Sequence, residues 1–147
     1  MTDPALDKAL PPDKIISFPE GLPGFPTLKR FVMSQLPEER PYAWMHALDR
    51  AQISTNNISF ALVDAYAWVK ELTLEVDDSI LQMLGSLDPL DYAVYFILRI
   101  TKSQGLTSLH ANAKAPLIVN IKTRMGKQII VSNNPSLELA EARCLQF

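Results

Sequence analysis

The chain has 147 residues, 48% of them hydrophobic and 20% charged, which suits one globular domain and excludes a wholly disordered chain. Its net charge of −2 gives little long-range attraction to nucleic acid or anionic membrane. The longest apolar run, Tyr92 to Leu98, is strand-sized and far short of the ~18 residues that cross a bilayer.

Eight of the eleven prolines lie in the first 41 residues, and Pro4, Pro11 and Pro12 mark residues 1–13 as a flexible N-terminal arm before a domain over 14–147. Acidic Asp3 stands where a secretory leader would carry base, so the expected location is the cytoplasm. The lone Cys144 forms no internal disulfide, in keeping with a reducing compartment. From Lys14 the pattern becomes short apolar runs. Lys14 to Phe18 reads as a strand ending at Pro19, Thr27 to Arg30 as one helical turn, and Phe31 to Leu36 as a second strand. Tyr42 to Leu48 and Ser59 to Val63 follow, joined by a polar loop over 49–57. Val69 to Val76 alternates, with Glu71 and Glu75 on the wet side, and predicts an antiparallel strand with one face in water.

One helix is expected next. Asp77 or Asp78 suits its free N-terminal amides, Ile80, Leu81 and Leu84 share a face, and Gly85 ends it. Asp88-Pro89 turns the chain into a central strand over Tyr92 to Thr101. Leu106 to Asn112, Pro116 to Ile121 and Lys127 to Ser132 complete the set. The last two form a hairpin in which Gly126 is expected to supply a positive φ. The whole predicts a mainly β fold: a compact, antiparallel, β-barrel-like single domain with one short helix.

Chemistry is sparse. His46 and His110 have no carboxylate or thiol at metal-ligand spacing, so no metal or cofactor is expected. No nucleophile elbow or phosphate loop occurs, since Gly21-Leu22-Pro23-Gly24 lacks the spacing and the Lys-Ser/Thr that should follow. Lys122, Arg124 and Lys127 are a thin basic footprint, so direct nucleic-acid binding is not expected. Charge is uneven, however. Residues 61–110 carry three bases against seven acids, and residues 111–147 five against two. By elimination the chain reads as a binding protein and not an enzyme.

Two segments are distinctive. One is Phe18-Pro19-Glu20-Gly21-Leu22-Pro23-Gly24-Phe25, within a block over 16–31. The other is Asn112-Ala113-Lys114-Ala115-Pro116-Leu117-Ile118-Val119-Asn120, continuing through Thr123-Arg124-Met125-Gly126-Lys127-Gln128. In order and spacing they resemble the flagellar assembly factor FliW family, over about residues 14 to 132. The resemblance implies a non-catalytic cytoplasmic regulator without a small-molecule substrate. Its expected partners are flagellin, bound before export in a chaperone-like way, and the translational repressor CsrA. Flagellin would occupy the protein while it accumulates; once it is exported, the freed protein would take CsrA off the flagellin message by an allosteric route. A basic RNA-binding partner would be complemented by the acidic Glu71, Glu75 and Asp78. Phe18, Leu22 and Phe25 are either cover for a barrel end or partner anchors. Asn112, Lys114 and Arg124 are either loop and surface residues or contacts. Asp64-Ala65-Tyr66 stands where the family has Asp-Pro-Tyr, the 49–57 loop looks long, and the tail beyond Ser132 matches nothing. A flagellin-only chaperone and a small-ligand β-barrel remain the alternatives.

Overall fold

The computed structural model describes residues 15–22, 24–35, 37–48, 58–131 and 142–146, the last stretch by its backbone. The 1–13 arm, the 49–57 loop and most of the tail after Ser132 lie outside the described residues. The described strands are β1 (Ile15–Ser17), β2 (Arg30–Ser34), β3 (Tyr42–Ala47), β4 (Ser59–Asp64), β5 (Tyr92–Ser103), β6 (Leu106–Ala111), β7 (Leu117–Asn120), β8 (Gly126–Gln128) and β9 (Ala142–Gln146). All ladders are antiparallel, in the order β1-β2-β3-β4-β5-β6-β9 with β7 and β8 branching from β5. The branch arises because β5 is long. One edge of β5 pairs β7 over Tyr92–Tyr95 and β6 over Leu98–Ser103. The sheet curls until Ser17 meets Met125 in a single parallel bridge, so it is barrel-like without being closed by a ladder.

Residues directly opposite in an antiparallel pair face the same side. The register Ile16↔Phe31, Met45↔Phe60, Leu62↔Ile97 and Tyr95↔Leu117 therefore gathers one set of side chains inside the curl. Phe18, Phe31, Met45, Leu62 and Leu117 are fully buried there. These side chains fill the space that a small-ligand barrel would keep hollow. The opposite set, Val63↔Phe96, Ala61↔Leu98 and Val94↔Ile118, faces outward. It is buried beneath residues 65–91, whose Trp68, Leu72 and Leu84 complete a second core.

That covering segment corrects one expectation. Val69 to Val76 is not a strand: residues 72–77 have no ladder partner. Leu72 is nonetheless buried and Leu74 and Val76 half-buried, while Lys70, Glu71, Thr73 and Glu75 are exposed. Alternation needs only an extended backbone, and this one lies across the outer face of the sheet, turning Leu72, Leu74 and Val76 into the second core. The helix is present as α2 (Asp78–Leu84), with Gly85 left-handed at φ 111°. A further turn, α1 (Ala65–Trp68), precedes it; Asp64 caps it by accepting from the Tyr66 N–H at 2.9 Å. Ala65 thus occupies the first helical position, where proline is equally at home, so the departure from Asp-Pro-Tyr leaves the cap intact.

Thr27 to Arg30 is also not helical; Arg30 already belongs to β2. Phe18 to Phe25 folds as a tight loop in which the Gly21 N–H donates to the Phe18 carbonyl and Leu22 and Phe25 exchange backbone bonds. Gly21 has φ 70°, and a Cβ there would lie 2.6 Å from the Pro26 carbonyl oxygen, so no side chain fits. In the β7–β8 hairpin the positive φ belongs to Arg124, at 62°, and not to Gly126. Gly126 is required for space: a Cβ would sit 2.7 Å from Phe18 Cε1.

Candidate functional site

The sequence-predicted contact residues are spread over the 18–25 loop, the turn into β7, the β7–β8 hairpin and the acidic 71–78 segment. Phe18 and Leu22 are core, 0% and 3% exposed. Phe25 is 38% exposed and stacks edge-on against Phe60 at 5.7 Å, so the loop closes one end of the curl with a partly open aromatic lid. Asn112 and Lys114 are exposed on the turn into β7, where the Asn112 N–H donates to Ile97 and the Lys114 carbonyl accepts from Val131. Arg124 is half-buried in the hairpin turn, its carbonyl accepting from Ser17. The Arg124 turn abuts the end of β1 beside Phe18, but Phe18 is buried, so these residues form no shared exposed surface with it.

Glu75 and Asp78 do come together, on an open groove of about 710 Å³ between residues 74–78, α2 and the loop at Leu87–Pro89. Tyr92, Val94 and Ile118 lie along its sheet side, Leu74, Val76, Leu81 and Leu87 add apolar walls, and Tyr66 stands at its margin. Glu75, Asp77 and Asp78 are all exposed, and no Lys, Arg or His lines the groove among the described residues. Glu71 is exposed on the same segment but outside the lining. Three of the seven acids of residues 61–110 therefore edge an apolar trough. Such a surface suits a segment with an apolar ridge and basic flanks. Sequence reasoning missed Tyr66, Leu87 and Tyr92. Leu87 carried a signal, being a large apolar residue between Ser86 and Asp88 that stays 50% exposed.

Two basic residues of the hairpin are committed to ion pairs. Lys127 pairs with Glu20, and Lys122 Nζ lies 3.1 Å from Asp91 Oδ1. Asp91 also accepts from Ser86 Oγ at 2.6 Å. The Ser86 hydrogen bond, then that from Lys122, hold the Asp91 carboxyl below its ordinary range. A lowered folded value means stability present above the unfolded carboxylate pKa of about 3.9 and lost as pH falls through the folded value. Urea melts across the acid range should show a loss below about pH 4 that is smaller in Asp91→Asn. An acid limb of unchanged size would remove Asp91 from that account.

Asn120 is the residue whose importance the sequence understated. It is 0% exposed, its Nδ2 donates to the Leu84 carbonyl at 3.0 Å, and its Oδ1 accepts from the Lys122 and Thr123 N–H groups at 2.8 and 3.1 Å. Thr123 Oγ1 donates to the same Leu84 carbonyl at 2.8 Å. The second distinctive segment thus ties the hairpin turn to the C-terminal end of α2. No group of three or more His, Cys, Asp or Glu suited to a metal occurs among the described residues, nor any helix long and apolar enough to cross a membrane.

Residues 7–142 match the family model described as FliW protein. The flagellar assembly factor FliW of Thermoanaerobacter pseudethanolicus is 30% identical over 127 residues, covering 86% of this chain and 80% of that protein. The Clostridium novyi flagellar assembly factor FliW is 29% identical over 121 residues, 82% and 80% of the two chains. A crystal structure of the flagellar assembly factor FliW superposes with a TM-score of 0.70 at 28% identity, covering 86% of this chain and 83% of that one.

Proposed function

Because the chain belongs to the FliW family of flagellar assembly factors, we propose that it is a non-enzymatic cytoplasmic regulator that binds flagellin and antagonises the repressor CsrA by switching between the two. The observation that carries this reading is the acidic, apolar-floored groove at Glu75, Asp77 and Asp78. CsrA binds RNA and so carries basic surface, which complements the groove rim. Negative charge held beside an RNA path repels phosphate without occupying the path, which accounts for an allosteric mode of release.

Titration calorimetry of the full chain against flagellin and against the CsrA dimer tests the proposal. Binding to both, with flagellin displacing CsrA, is the expected result; binding to flagellin alone leaves a chaperone role; binding to neither overturns the reading. Reversing charge at Glu71, Glu75 and Asp78 together is expected to weaken CsrA at least about tenfold and to flatten its salt dependence. Unchanged affinity and salt slope in that variant would take the acidic surface out of the mechanism.

A further inference from the structure

The groove and the β7–β8 turn are joined at one end of α2. Leu84 is the last residue of that helix, and its carbonyl receives both the Asn120 amide and the Thr123 hydroxyl. Nearby, the Ile121 N–H donates to the Asp91 carbonyl at 2.8 Å, and Tyr92 Oη lies within hydrogen-bond distance of the Leu81 and Ser86 carbonyls. A Cβ on Gly85 would stand 2.6 Å from Thr123 Cγ2, so the turn and the helix end are also in close contact. At the other end of the helix, Asp77 makes no side-chain capping bond. The polar attachment described for α2 is thus concentrated at its C-terminal end, while Asp78 and Leu81 of the same helix form a wall of the groove.

We propose that Asn120 and Thr123 are positioning residues for the groove: by gripping the Leu84 carbonyl they hold α2 at the angle that sets the groove's width and the placement of its acidic rim. Neither residue lines the groove. A partner's affinity at the groove therefore depends on a turn that the partner does not touch. This deepens the functional reading above and rests on the groove being the partner surface.

Thr123→Val removes one of the two donors while keeping the shape of the side chain, and Thr123→Ser keeps the hydroxyl. In hydrogen exchange of the full chain, the Gly85 and Ser86 amides, which donate to Leu81 and Gln82, should exchange about fivefold faster in Thr123→Val. Amides of β2 to β4 that exchange by local opening should keep the wild-type rate, which a loosening spread over the whole fold would not allow. Affinity for the CsrA dimer should fall about three- to fivefold, and Thr123→Ser should restore both readings. Wild-type exchange at Gly85 and Ser86 in the valine variant overturns the latch. Faster exchange with unchanged affinity overturns its control of the groove. If the wild-type chain takes no CsrA, the switching part of the functional reading and the groove's role as the CsrA surface fall together, and exchange then decides only whether the turn holds the helix.

Discussion

Phe18→Ala is expected to destabilise the protein by about 3–5 kcal/mol, the range for deleting a large buried aromatic side chain. The ring is 0% exposed and meets Phe31 edge-on at 5.4 Å, with Phe31 in turn tilted against Phe60 at 6.1 Å. Gly126 lies against it so closely that a methyl group there would clash. Truncation therefore loses the transfer energy of the ring and leaves a cavity walled by β2, the 18–25 loop and β8, elements that other contacts hold in place. A domain of this size is stable by about 5–15 kcal/mol, so thermal and urea melts should show a large fall, on the order of 10 °C in Tm. The same measurement decides between the two roles the sequence left open. A stable Phe18→Ala that loses a partner would make the ring an anchor; an unstable one whose folded fraction still binds makes it core.

Asn120→Ala is expected to cost about 2–3 kcal/mol, for a different reason. Thr123 still donates to the Leu84 carbonyl in this variant, so that acceptor stays satisfied. The Lys122 and Thr123 N–H groups lose their shared acceptor, and a packed site at 0% exposure loses its amide. Burial of a donor without a partner costs about 1–3 kcal/mol. Water reaches the turn at exposed Lys122 and Thr123, which holds the sum below that of two fully buried orphans. Asn120→Asp keeps the acceptor but turns a carboxylate oxygen toward the Leu84 carbonyl, and should be at least as damaging. Chemical denaturation of both variants checks this; a loss under about 1 kcal/mol in each would mean that the turn does not depend on the amide.

The strands were the legible part of the chain. Period-two alternation and turn residues located β1 to β8 to within a few residues, because an antiparallel strand with differently filled faces writes its register into the sequence. Gly85 marked the end of α2 for the same local reason, since a left-handed position at a helix end favours glycine. The two distinctive segments also identified the family from residues alone.

Where the reading went astray, a non-local partner decided. Residues 69–76 alternate like a strand, but they pack on the outer face of the sheet, where Leu72 is buried in the second core, and residues 72–77 join no ladder among the described residues. Gly126 looks like a turn glycine, yet its need for a bare Cα comes from Phe18, more than a hundred residues earlier. Lys122 and Lys127 of the hairpin pair with Asp91 and Glu20, distant carboxylates no spacing rule connects. The candidate site followed the same division. That residues 61–110 are acidic is composition, and Glu75 and Asp78 could be named from it. That they edge an apolar groove with Tyr66, Leu87 and Tyr92, while Phe18 and Leu22 turn inward, depends on how the 65–91 segment crosses the sheet. Local preference sets each strand and helix end through φ, ψ and side-chain period. Which face is left for a partner follows from packing between segments far apart in the chain, and it existed only once they met.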